Sequence, residues 1–259
     1  MKLGLFSDIH ANFSAFDRVV RHLRGLGATG FICAGDTVGY GPDPAQCLEL
    51  LRSLPAQVVA GNHDRAIAES QNAETGGSLP ATGSFNLLAR LALDWTISRL
   101  GKDDIEYLAG LPLTVEADPF HIVHATPSEP ASWRYVLSVQ DAEKELAAFN
   151  LPVCIIGHSH RPFAVMRSKG RAHQLAGNCP PRRFNPGDFA LRPGHNYIVN
   201  IGSVGQPRDG DPRACCALYD TETARFTLHR LEYDIPSVQS RFEQAGLPSY
   251  LAERLAGGY

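Results

Sequence analysis

The chain has 259 residues, 44% of them hydrophobic and 20% charged, enough for one large α/β domain, or two small ones, with a core that needs no disulfide. One domain spanning residues 1–259 is the simpler expectation, and the composition excludes the disordered and fibrous classes. The net charge of −3 is spread over mixed signs, so there is no dedicated nucleic-acid surface and no polybasic membrane segment, and any polyanionic ligand must be held locally.

In chain order, Met1 to Asp8 carries too short an apolar run for a signal peptide, and no later stretch approaches the ~18 apolar residues of a membrane span. The six cysteines are scattered and none forms a Cys-x-x-Cys pair, so buried thiols in a cytoplasmic setting are expected. Leu3 to Ser7 reads as a buried strand, and Phe13 to Leu26 places Phe13, Phe16, Val19, Val20 and Leu23 on one helix face. Gly30 to Ala34 as strand, Ala45 to Leu54 as helix and Gln57 to Ala60 as strand continue the rhythm of a layered sheet with flanking helices. Ala66 to Ala81, rich in Ser, Asn, Gly and Glu, reads as a loop. A helical pattern follows through Phe85, Leu88, Leu91, Leu93, Trp95 and Leu100, then a short helix over Asp103 to Leu111. Residues 66–112 thus form a helical insertion placed to cover the strand ends. Strands resume at Phe120 to His124 and Val153 to Ile156, around an amphipathic helix over Val139 to Phe149 that Ser138 can cap. From Pro162 the runs Phe163 to Arg167, Tyr197 to Ile201, Ala214 to Tyr219 and Arg225 to Tyr233 suggest antiparallel pairing in a second sheet. Residues 177–194, crowded with Pro, Gly and Arg, read as a surface loop, and Ile235 to Leu255 closes the chain as helix.

Polar groups of one chemical kind recur at the ends of these strands. Asp8-x-His10 follows the first, Gly35-Asp36 the second, Gly61-Asn62-His63-Asp64 the third, His124 the next and Gly157-His158-x-His160 the one after. In open α/β sheets, ligands bind outside the carboxyl ends of strands, so residues far apart in sequence meet in one crevice. Gly35, Gly61 and Gly157 fit tight turns there. Carboxylates, an amide oxygen and imidazoles without thiolate suit two divalent ions of the Mn, Fe, Zn, Co or Ni type. The alternation of an extended segment sends His158 and His160 to one side, and a carboxylate such as Asp36 can bridge two ions ~3.5 to 4 Å apart. Taken singly, each signal is weak, since a strand-end histidine is usually structural and an aspartate there usually caps a turn. Five at five successive strand ends point to one built site.

In this order and spacing the motifs resemble those of the calcineurin-like metallophosphoesterases, from residue 1 to about 220. Gly39-Tyr40-Gly41-Pro42 and Asn200-Ile201-Gly202-Ser203-Val204 look closest to the small bacterial members. The resemblance implies a four-layer sandwich of two mixed β-sheets flanked by helices, of α/β (α+β) class. It implies that Asp8, His10 and His160 hold one ion, that Asn62, His124 and His158 hold the other, that Asp36 bridges them, and that His63 is the catalytic histidine. The implied reaction is hydrolysis of a phosphate ester, of a small molecule or nucleotide, by a metal-bridging hydroxide. His63, one residue past a ligand, would act as general acid, with Asp64 holding its ring or capping the next helix.

One departure from related Ser/Thr protein phosphatases bears on substrate. Where they carry an Asp-Arg pair whose arginine grips phosphate, this chain has Gly39 and Tyr40, which tilts the expectation toward phosphodiesters. Arg65, Arg161 and Arg208 lie beside motif segments and are candidates to hold the substrate, although each suits an exposed, solvated role as well. The alternatives are a phosphomonoesterase acting on phosphoproteins or nucleotides, and a non-catalytic scaffold of the same fold. Oligomeric state is not legible.

Overall fold

In the computed structural model, residues 1–70, 85–168, 171–177 and 187–259 are described. The short apolar runs of the first third become parallel strands, β1 (Lys2–Phe6), β2 (Ala28–Cys33) and β3 (Ala56–Val58), connected by α1 (Phe13–Gly25) and α2 (Pro44–Arg52). Period-two alternation sends their side chains to opposite faces. Leu5 and Ile32 point into the space between two sheets, whereas Phe6, Phe31 and Cys33 meet the apolar faces of α1 and α2. Both neighbouring positions of each strand are therefore apolar, as in a sheet covered on both sides.

After β3 come α3 (Asn62–Ser70), α4 (Leu87–Ile97) and α5 (Lys102–Ala109), then β4 (Thr114–Ala117), β5 (Phe120–Val123), α6 (Val139–Glu145) and β6 (Val153–Ile156). Ser138 caps α6, its hydroxyl accepting the Asp141 N–H at 3.1 Å. The remaining strands are β7 (Phe163–Ser168), β8 (Arg171–Gly177), β9 (Asp188–Ala190), β10 (Asn196–Asn200), β11 (Ala214–Asp220) and β12 (Arg225–Leu231). Helices α7 (Ile235–Ala245) and α8 (Ser249–Gly257) follow. One sheet has the order β3-β2-β1-β11-β12-β9, the other β4-β5-β6-β10-β7-β8. Both are mixed: β1, β2 and β3 are parallel, as are β5, β6 and β10, and the remaining strands pair antiparallel. Phe120, Ile155, Tyr197 and Val199 of one sheet face Leu5, Cys215, Tyr219 and Phe226 of the other. Helix α6 covers the outer face of the second sheet, completing the four layers.

Several elements differ from the sequence reading. The second sheet does not begin at residue 162: β5 and β6 already belong to it, and β11 and β12 return to the first sheet, because β1 has a free edge that β11 fills with Leu3 opposite Tyr219. Within the expected loop at 66–81, residues 66–70 complete α3, with Ala66, Ile67 and Ala68 buried; polar neighbours masked that short apolar face, and 71–81 lies outside the described residues. In the expected loop at 177–194, residues 188–190 are the edge strand β9, and 178–186 lies outside the described residues. The closing helix is two helices, broken at Gly246, which caps α7 in the left-handed region, and Pro248, which cannot continue a helix. The five described cysteines are buried and unpaired. Among the described residues, no helix is long and apolar enough to cross a membrane.

Candidate metal centre and active-site cleft

The two parallel strand sets end at the same rim of the sandwich, and their loops carry the motif residues. Asp8 and His10 follow β1, Asp36 follows β2, Asn62 and His63 open α3 after β3, His124 follows β5, and His158 and His160 follow β6. These loops are tightly bent. Asp8, His10, Asp36, His158 and His160 have φ of 53°, 46°, 55°, 65° and 57°, the left-handed region that non-glycine residues rarely adopt and that costs on the order of 1–3 kcal/mol each. Cross-loop hydrogen bonds impose the conformation: Asp8 N–H donates to Gly35 O at 2.9 Å and His10 N–H to Asp36 O at 3.0 Å. Asn200, at the end of β10, donates to Gly157 O and to Ser159 Oγ, and Ser203 Oγ donates to Asp8 O. The Asn200–Ser203 segment is thus a brace for the loops after β1 and β6.

Backbone carbonyls set the imidazole tautomers. His10 Nδ1 lies 3.2 Å from Val38 O and His160 Nδ1 lies 2.5 Å from Gln206 O. With both Nδ1 atoms donating, the two Nε2 lone pairs face each other across 3.1 Å. Asp8 Oδ1 joins them, 3.3 Å from His160 Nε2 and 3.9 Å from His10 Nε2. In a second group, His124 Nδ1 meets Ala34 O at 2.7 Å and His158 Nε2 meets Trp133 O at 2.8 Å. That arrangement turns His124 Nε2 toward His158 Nδ1, 3.1 Å away. Asn62 Oδ1 is buried with no hydrogen-bond partner. Buried acceptors that converge in this way repel one another unless a cation, a proton or a metal ion, sits among them, so this donor set fits divalent metal.

Asp36 joins the two groups. Its Oδ1 accepts the His63 N–H at 2.9 Å, while its Oδ2 lies 3.6 Å from His10 Nε2 and 3.3 Å from His124 Nε2. Burial would raise this carboxyl, but the surrounding imidazoles, His124 foremost, hold it well below the usual carboxylate range. Asp8 is pushed up to about 7 by burial, with Asp36 adding to the push against His124. Burial opposes a charged His124, yet Asp36, Asp8 and the Ala34 carbonyl together outweigh it and lift that ring to about 9. His158 and His63 are held down to about 3 and about 4, burial being the main cause in both. A proton on His124 therefore supplies cationic charge that a metal ion would replace.

His63 packs edge-on against His10 and Phe85 and tilts over Tyr40, with ring centroids 4.9, 4.8 and 4.5 Å apart. Its Nδ1 is buried and unbonded. Asp64 does not supply a partner: it accepts the N–H groups of Thr37, Val38 and Gly61, capping α3 and tying the Asp36 loop to it. Arg65 pairs with Glu69 one turn along α3 at 2.8 Å, away from the cleft. Arg161 is exposed and donates to Arg208 O at 2.9 Å, bracing the loop rather than entering the cleft. Arg208 does line it, a cavity of about 370 Å³ whose walls also include Phe85, Trp133, Tyr135, Tyr250 and Arg254. Sequence reasoning passed over those five because none lies beside a motif; Trp133, whose φ is 53°, shows its role only through the carbonyl it turns to His158.

The calcineurin-like phosphoesterase superfamily domain matches residues 1–224. An uncharacterized protein of the archaeon Methanocaldococcus jannaschii is 31% identical over 260 residues, covering 98% of this chain and 96% of its own. Among solved structures, a metallophosphoesterase from Sphaerobacter thermophilus shares 35% identity with a TM-score of 0.83, covering 100% of this chain and 99% of its own. A hypothetical protein from Pyrococcus horikoshii shares the fold at a TM-score of 0.79 and 19% identity, over 100% of this chain and 98% of its own. With its domain matched over most of its length and its strand-end residues gathered at one rim, the chain belongs to the calcineurin-like phosphoesterase superfamily.

Proposed function

We propose that this chain is a dinuclear metal-dependent phosphoesterase that hydrolyses phosphodiesters in the cytoplasm. The observation that carries the reading is Asp36 Oδ2, which lies between His10 of one group of acceptors and His124 of the other. Asp8, His10 and His160 would hold one ion, Asn62, His124 and His158 the other, and Asp36 both. Mn, Fe, Zn, Co and Ni all suit these ligands. When bound, two such ions supply a water that ionises near neutral pH and neutralise charge growing on the phosphoryl oxygens.

The protein's own groups do the rest. Arg208 faces the same cleft and offers a guanidinium to a phosphoryl oxygen. His63 is neutral in the resting protein, and an anionic ester seated beside it favours its charged form, so it can donate a proton to the departing oxygen. The lean toward diesters rests on Gly39 and Tyr40 in place of an Asp-Arg pair and on the aromatic walls, which leave room for a second ester group. Metal-loaded protein should hydrolyse bis(p-nitrophenyl) phosphate with a higher kcat/KM than p-nitrophenyl phosphate. The reverse order would make it a phosphomonoesterase, and no turnover of either would make it a scaffold.

A further inference from the structure

The helical pair α7–α8 lies beyond the stretch that matches the family domain, yet it reaches the cleft. Its apolar face, Val238, Phe242, Leu247, Leu251 and Leu255, packs with Val38 and Tyr40 of the Asp36 loop and with α3 to α5. The end of α8 is also tied to the loop that carries Arg208, Gly210 N–H donating to Gly258 O at 2.8 Å. Packing and hydrogen bond together fix the register of α8 against the cleft. Tyr250 and Arg254, one turn apart on α8, line it there.

Two guanidinium groups, Arg208 and Arg254, thus share one cleft, and among the described residues neither has an Asp or Glu carboxylate within ion-pair distance. Arg208 is bound through the neutral Gln206 Oε1 at 2.7 Å, and Arg254 Nε donates to an O of Tyr259, the last residue of the sequence. Arg208 stands over Tyr40, 5.7 Å from its ring, and Tyr40 is 4.8 Å from His10, which puts Arg208 at the inner end. Arg254 stands 5.8 Å from the Tyr250 ring on α8. Its guanidinium is lowered by burial and then by the charge of Arg208, a like-charge opposition that an anion between or beside them relieves. Opposite, Tyr135 stacks on His158 with centroids 4.1 Å apart and is 49% exposed, leaving its other face open to a planar ring.

We propose that the cleft takes a nucleotide ester carrying a phosphate besides the one cleaved, with Arg208 on the scissile group, Arg254 of α8 on the second phosphate and Tyr135 under the base. This rests on the phosphoesterase reading of the same cleft and narrows its substrate class. Arg254 is a specificity-determining residue, supplied by an element outside the family domain.

The test is equilibrium binding of thymidine 5′-monophosphate, thymidine 5′-diphosphate and thymidine 3′,5′-bisphosphate to metal-loaded protein by calorimetry. One of the two-phosphate ligands should bind about tenfold or more tightly than the monophosphate, the contribution of an added charge-assisted contact. Arg254→Gln should bring that ratio close to one and Arg254→Lys should keep part of it; a ratio taken within each variant is unaffected by a loss of folded protein. A wild-type ratio near one, or an unchanged ratio in Arg254→Gln, overturns the subsite. Hydrolysis of bis(p-nitrophenyl) phosphate is scored separately: its absence with the ratio intact sinks the hydrolase reading and leaves the subsite standing, and the opposite pair of results does the reverse.

Discussion

Asp36 and Asn62 stand side by side in the site but differ in what each touches. Asp36 Oδ2 faces imidazoles of both groups, whereas the unbonded Asn62 Oδ1 can serve only one ion of the proposed pair. Asp36→Asn should therefore strip the protein of most of both ions, and Asn62→Ala should leave about one tight ion per chain. Metal counting on the two purified variants decides, and two tight ions retained by Asp36→Asn would end the bridging assignment. His63 gives a different signature, because the sets proposed around Asp8 and His124 are complete without it, although its ring also lies within ligand reach of His10 and Asp36. His63→Asn should keep its metal and lose ~10²- to 10⁴-fold in rate on an alkyl or nucleoside ester, where the departing oxygen needs a proton. On a nitrophenyl ester, whose leaving group departs unprotonated, the loss should be much smaller. Equal losses on both esters would remove His63 from the acid role and make it a phosphate-positioning residue.

At the scale of elements, the residues proposed as ligands could be singled out in the sequence for the same reason that they are clustered in space. Each sits just past an apolar run, and parallel strands bring such positions to one rim. The tautomer logic was not legible, since it depends on carbonyls of Ala34, Val38, Trp133 and Gln206, which any residue type supplies. Sheet membership was hidden too: β5 and β6 read as buried strands, but nothing in Phe120–Val123 says which sheet buries them. Asp64 was open between two roles, and only the three N–H groups around it select the cap. The glycines show where spacing alone falls short. Gly61 was read as a turn residue, but a Cβ there would also strike the Asp36 carboxylate, and one at Gly39, with φ +85°, would strike the His63 ring. The position that distinguishes this chain from the protein phosphatases is thus occupied by the one residue small enough to let His63 lie where it does. Arg254 was beyond reach of motif reasoning, its approach to the cleft depending on the break between α7 and α8.

For the whole molecule, the site is a store of unfavourable burial that the proposed metal ions would relieve. Asp8 is raised from 3.8 to about 7, Asp64 likewise to about 7, and His124 from 6.5 to about 9. A group whose folded pKa lies above its unfolded value favours folding below the unfolded pKa, and that contribution is lost as pH rises through the folded pKa. All three groups act with this sign. His63 and His158, lowered to about 4 and about 3, act with the opposite sign, but only below about 6.5, where their unfolded forms begin to charge. Between pH 6.5 and 9 the metal-free protein should accordingly lose thermal stability, while metal-loaded protein, in which cations replace the lost protons, should hold its Tm over that range. Parallel scanning calorimetry of the two forms checks this, and equal slopes would mean that His124, the group that loses its proton across this window, does not face the metal.

The central claim is that two ions sharing Asp36 do the chemistry, and its most direct measurement joins metal content to rate on one sample. Protein stripped with a chelator and then titrated with Mn²⁺ should gain bis(p-nitrophenyl) phosphate hydrolysis in step with bound metal and reach a plateau at about two ions per chain. Full activity in the stripped sample, or a plateau at about one ion, would contradict it.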